Sequence, residues 1–118
     1  MKNFTFIKKN IYVQYLSQEP FLGISPILVG LERCLSNKKA IERRKEHYAL
    51  HYVFSGSGTV IVNGNEYTLQ SNSFFLLSPH ATVTYKPNPQ NPWQYVWIDF
   101  FGPYSLHYDK ALLLLSSL

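Results

Sequence analysis

Between His47 and Pro92 the sequence is broken by turn-forming residues at short, nearly regular intervals, and this spacing restricts the fold more than any other feature. The segments between the breaks alternate apolar with polar residues, or are rich in β-branched and aromatic types, as in an antiparallel all-β chain. HYALHYVF (47–54) reads as a strand, SGSG (55–58) as a turn and TVIV (59–62) as a second strand. NGN (63–65) is a tight hairpin in which Asn63 and Gly64 supply the positive φ angles of a two-residue turn. EYTL runs back, QSNS turns, and FFLLS (74–78) is a buried strand. Pro79 and His80 interrupt it, and TVTY (82–85) follows before the loop KPNPQNP. WQYVWIDFF (93–101) is the longest strand. Upstream, NIYVQYL and ISPILVGLER are less regular strands, and SLHYDKALLLLSSL from Ser105 onward is expected to be helical. About eight short antiparallel strands predict a barrel or double-sheet jelly roll, a shape that closes around an interior and holds one small ligand.

Bulk properties agree with one such domain. A length of 118 residues suffices for a single core and is short for two. No apolar run approaches the twenty or so residues that span a bilayer, and MKNFTFIKKN lacks the apolar stretch and cleavage site of an export signal. Cys34 is the only cysteine, which rules out an internal disulfide and agrees with a reducing, cytoplasmic setting. It sits in the apolar run LVGLERCL with no arranged base and reads as a small buried hydrophobe.

The net charge of +4 is concentrated in residues 1–45, which hold nine Lys or Arg against three Glu; the remainder holds two against four acids. The densest piece, NKKAIERRKEH, is interrupted by two glutamates and has no interleaved aromatic residue for base stacking. It reads as a solvated loop or short helical turn rather than a nucleic-acid patch.

Both tryptophans lie in NPWQYVWIDFFGPYS (91–105). Strand alternation puts Trp93, Tyr95, Trp97, Asp99 and Phe101 on one face and Gln94, Val96, Ile98 and Phe100 on the other. Both faces are apolar, but only the first carries indoles, a phenol and a carboxylate. Those groups can cover the C–H face of a sugar and hold its hydroxyls, or they can simply fill the barrel. Other chemical motifs fail. GSGTVI lacks the third glycine and the following helix of a dinucleotide loop, SGSG is not a nucleophile elbow, and Asp99 has no evident partner acid.

The run from Tyr48 to Gly102 resembles the N-terminal effector-binding domain of AraC-type transcriptional regulators. The resemblance is carried by HYV-x-SG-x-G-T, V-N-G-x-x-Y-x-L, F-F-L-x-x-P and above all N-P-W-x-Y-x-W-I-x-F-x-G. It implies an all-β, cupin-like double-stranded β-helix (a jelly-roll barrel) that binds a small effector, often a sugar, and controls C-terminal helix-turn-helix units absent from this chain. The expected organisation is an arm (1–20), a barrel (21–103) and the start of a linker and dimerisation helix (104–118). The partners it implies are a sugar effector, a second copy of the chain, and promoter DNA through the absent units. The candidate ligand residues are Trp97, Tyr95 and Tyr85, the last standing where the family commonly sets a pocket aromatic, with Arg44 a further polar anchor. Trp93 is expected to close the barrel's end or to pack under KPNPQNP. The arm, with Phe4, Phe6 and Ile7, could serve as a lid.

Catalytic cupins hold a metal through H-x-H followed by glutamate and a second histidine motif, and that set is broken here. His47 and His51 are four residues apart, about 13 Å along a strand, too far for bonds of about 2.1 Å to one ion. Ala49 stands where the glutamate is expected, and the second histidine falls near Val83. No catalytic residue, metal or cofactor is expected. The alternative function is a stand-alone carbohydrate-binding or metal-free cupin module.

Overall fold

The computed structural model describes the backbone of residues 4–8, 11–15, 25–102 and 112–116, and the side chains of 11–15 and 25–102. The described strands are β1 (Phe4–Lys8), β2 (Ile11–Tyr15), β3 (Ser25–Arg33), β4 (Ile41–Arg44), β5 (Tyr48–Ser55), β6 (Ser57–Val62), β7 (Asn65–Gln70), β8 (Ser73–Leu77), β9 (Thr82–Pro87), β10 (Gln94–Phe101) and β11 (Leu112–Ser116). They form a seven-stranded sheet in the order β1-β2-β3-β10-β5-β8-β11 and a four-stranded sheet in the order β4-β9-β6-β7. The paired neighbours are antiparallel, as the turn spacing requires.

The hairpin between β6 and β7 is set by Asn63 and Gly64, with φ of 53° and 80°. A right-handed strand pair needs that primed turn, and Asn-Gly adopts it at least cost. Asn72 and His80 also take positive φ, in the turns before β8 and β9.

Burial alternates along β6, β9 and much of β10, so each strand turns one face to the space between the sheets. Ala49, Val53, Val60, Phe75 and Val83 are at most 1% exposed and draw on both sheets. Trp93 joins them at the end of the core. Its indole lies across Gly58, where an added Cβ would fall 2.4 Å from the ring. The flanking loop is tied down by Ser57 N–H donating to the Asn91 carbonyl and Asn88 N–H donating to the Ser57 carbonyl. Trp93 therefore seals the core beside that loop.

Two expectations change. Residues 112–116 form a strand where a helix was expected, with Leu112 opposite Leu77 and Ser116 opposite Ser73. Four successive leucines give a helix no polar face, whereas the free edge of β8 offers backbone donors and acceptors that pairing satisfies. His107 and the rest of 103–111 lie outside the described residues. The basic segment, expected as a loop or helical turn, instead supplies β4, in register with β9 from Ile41 opposite Tyr85 to Arg44 opposite Thr82. From the segment expected as an arm, β1 and β2 extend the large sheet, with β2 paired to β3.

Cys34 follows β3, buried in the core cluster, its N–H donating to the Trp93 carbonyl at 3.1 Å. Burial, reinforced by the charge of Glu32, pushes its thiol up to about 12. Because the thiolate is the reactive form, labelling by an aromatic disulfide at pH 8 should be about three orders of magnitude slower in the native protein than in denaturant. Equal rates would show that the thiol is accessible.

Candidate functional site

The sheets enclose a cavity of about 400 Å³. Its wall is built from the inner rows of the large sheet, where Trp97 of β10 lies opposite Gly30 of β3 and His51 of β5, and Tyr95 lies opposite Glu32 and Val53. Ile11 and Val13 of β2 continue that wall, and Tyr85, Ile41 and Arg43 face it from the small sheet. Gly30 is required by a close approach: a Cβ there would stand 2.3 Å from the Trp97 ring. Absence of that side chain lets the indole lie against the sheet instead of filling the cavity.

The rings form one aromatic surface. His51 stacks on Phe75 at 4.3 Å between centroids and 8° between planes, and Tyr95 and Trp97 are 5.7 Å apart. His51 also lies 5.5 Å from Tyr95 and 5.6 Å from Tyr85. Four buried side-chain polar atoms among the described residues have no hydrogen-bond partner: Trp97 Nε1, Tyr85 Oη, His51 Nδ1 and Trp93 Nε1. The first three belong to residues lining the cavity. An unpaired buried donor or acceptor costs roughly 1–3 kcal/mol, so this lining is poised to gain from a guest bearing hydroxyl groups.

The charged groups are mostly occupied. Glu32, 5% exposed, accepts a hydrogen bond from Tyr95 Oη at 2.9 Å and pairs with Lys38. Asp99, 3% exposed, takes Lys45 Nζ at 3.0 Å on each oxygen and bonds His47 Nε2 at 3.0 Å. Lys45 Nζ also sits 5.8 Å from the centroid of the Trp97 ring, within cation–π range. Burial, followed by the Lys45 charge, lowers His51 to about 3, against a weaker opposing influence of the Ala49 backbone. Its imidazole is neutral at ordinary pH. Burial and then the charge of Asp99 raise the Tyr85 phenol, and burial and then Glu32 raise Tyr95, so both remain protonated donors.

Such a lining can stack a flat or C–H-rich face and bond neutral oxygens. Among the described residues, both buried carboxylates, Glu32 and Asp99, are engaged by cations. Among the described residues no group of three or more His, Cys, Asp or Glu is placed to hold a metal ion. A second hollow, about 380 Å³, lies on the outer face of the large sheet between Val29, Leu31, Leu50, Tyr52 and Val96. It has almost no polar group to orient a ligand.

Three of the four sequence candidates, Trp97, Tyr95 and Tyr85, converge on the cavity. Arg44 reaches its rim, where Nη1 pairs with Glu46 at 3.0 Å and the side chain is 54% exposed. Alternation along β4 puts its neighbour Arg43, opposite Val83, on the Tyr85 side. His51, Glu32, Gly30 and Lys45 were not singled out as site residues. His51 was legible in principle, as the polar member of the inward row Ala49, His51, Val53. The pairing of Lys45 with Asp99 joins segments 54 residues apart and leaves no sequence signal, whereas Lys38 reaches Glu32 six residues back across the turn closed by its N–H on the Leu35 carbonyl.

The family model of the AraC-like ligand binding domain matches residues 25–108, which is most of the chain. The chain belongs to this family. As an AraC-like domain it is 41% identical over 59 residues to the lactose operon transcription activator of Staphylococcus xylosus, a match covering 50% of this chain and 21% of that protein. It is 29% identical over 73 residues to the Msm operon regulatory protein of Streptococcus mutans, covering 62% and 26%. The chain thus spans about a quarter of the length of these regulators. In structure it resembles a cupin protein from Bacteroides fragilis, with a TM-score of 0.53, 13% identity, and coverage of 93% of this chain and 83% of that one. The AraC-like domain therefore has the cupin-like jelly roll that the resemblance implied. No helix among its described residues is long and apolar enough to cross a membrane.

Proposed function

We propose that this domain binds a saccharide inside the cavity and signals its presence to DNA-binding units of a longer regulator. The observation that carries this reading is the set of three unpartnered polar atoms, Trp97 Nε1, Tyr85 Oη and His51 Nδ1, around an aromatic wall. Neutral donors beside flat rings suit a guest that is both hydroxylated and C–H-rich. The relative named as a lactose operon transcription activator supports a sugar effector. Trp97 stacks on the ring, Tyr95 and Tyr85 supply flanking rings and a hydroxyl donor, and Arg44 stands at the rim. The reading places the regulator in the cytoplasm as a homodimer on promoter DNA.

Binding transmits a signal only if the ligand favours one arrangement over another. Ile11 and Val13 give a route, because β2 forms part of the cavity wall and a ligand touching it stabilises β2 against β3. Thermal-shift screening against mono- to trisaccharides tests the proposal. A ligand at a hundred times its dissociation constant should stabilise the domain by about 2.7 kcal/mol. Trp97→Ala should abolish that shift while still folding. A folded Trp97→Ala that responds in full would refute the stacking role.

A further inference from the structure

The cavity does not end at its aromatic wall. A third hollow, of about 310 Å³ and lined by Leu35, Asn37 and Lys39, shares Ile11, Glu32, Lys38, Ile41 and Arg43 with this cavity. The Glu32–Lys38 pair stands where the two meet. Chemistry changes across that boundary. Inside, the unpartnered groups are neutral: an indole N–H, a phenol and an imidazole. At the mouth they are cationic. Lys38 is matched by Glu32, Lys45 by Asp99 and Arg44 by Glu46, whereas among the described residues no carboxylate pairs with Lys39 or Arg43. Glu42, the acid nearest to both in the chain, lies opposite Thr84 in the register and so on the other face of β4 from Ile41 and Arg43.

We propose that the site takes a two-part ligand, an uncharged sugar ring on Trp97 and an outer unit bearing an anionic group held by Lys39 and Arg43, with Asn37 bonding its hydroxyls. The inference rests on the saccharide reading above and narrows it to anionic oligosaccharides. A phosphate ester and a carboxylate share the required chemistry. Arg43 can take either one through two parallel N–H donors, while Lys39 acts as a point charge.

The test is titration calorimetry of the 118-residue chain against neutral disaccharides, each supplied with its monophosphate ester and its uronic-acid counterpart, and against inorganic phosphate alone. For at least one set, an anionic member should bind tenfold or more tightly than the neutral parent, and the advantage should shrink in high salt. Lys39→Ala combined with Arg43→Ala should erase the advantage, so that anionic members bind the variant no more tightly than the neutral parent binds that same variant. Both substitutions are at exposed positions, so the fold should be retained. Whichever anion gains more identifies the outer group. Equal binding of neutral and anionic members, an advantage that survives the double variant, or tight binding of inorganic phosphate without any sugar would overturn the outer subsite and leave the inner one standing. If no saccharide of any kind binds, the saccharide reading itself fails.

Discussion

Acidification from pH 6.5 towards pH 3 should destabilise this domain more steeply than a His51→Phe variant. His51 is 2% exposed and stacked on Phe75, and its folded-state value of about 3 lies far below the ordinary 6.5. The unfolded chain therefore binds a proton between those limits that the native state refuses. Stability from this residue is fully present above pH 6.5 and is lost as pH falls, with a limiting slope of about 1.4 kcal/mol per pH unit. Across the window the loss is on the order of 4 kcal/mol, a large share of the 5–15 kcal/mol typical of a folded domain. Phenylalanine keeps the ring on Phe75 and removes the titration. Glu32 and Asp99 are common to both proteins, so the difference between their curves isolates His51. Urea unfolding at half-unit steps of pH provides the measurement, and parallel curves would show that the imidazole protonates in place.

Trp93→Ala should be the most damaging single truncation in the core. The indole is 1% exposed, lies across Gly58, and packs on Phe75 at 6.3 Å and edge-on to Tyr95 at 5.7 Å. Removing a buried tryptophan costs about 3–5 kcal/mol, because the lost transfer energy is joined by a cavity that the surroundings fill only in part. Each kcal/mol lowers Tm by about 4–8 °C in a domain of roughly this size. Trp97→Ala should cost clearly less, since its ring already borders the open cavity. Calorimetric melting of both variants makes the comparison. A Trp93→Ala protein as stable as Trp97→Ala would contradict the division between a core indole and a cavity indole.

That division was only partly legible beforehand. The period of two along 93–101 put both tryptophans on one face, but alternation says nothing about distance along the barrel. Gly58 and Gly30 each admit an indole, and it is the position of each between the sheets that makes one a plug and the other a wall. Arg43 and Arg44 show the same limit. Adjacent residues on a strand must face opposite ways, yet nothing local says which faces in; the register of β4 on β9 decides it.

Local chemistry alone established the hairpin at Asn63-Gly64, the strands around it and the apolar inward rows, because turn dihedrals and side-chain alternation are properties of a few neighbouring residues. The tertiary structure decided what required distant partners. Residues 112–116 became a strand because β8 had an unpaired edge to offer. Lys45 became the partner of a buried carboxylate, rather than a solvated charge, because Asp99, 54 residues away in the chain, came to lie beside it. His51 became a neutral cavity group because Phe75, Tyr85 and Tyr95 closed around it. Desolvation and charge pairing act through space, and the chain order of this protein carries no record of which segments will meet.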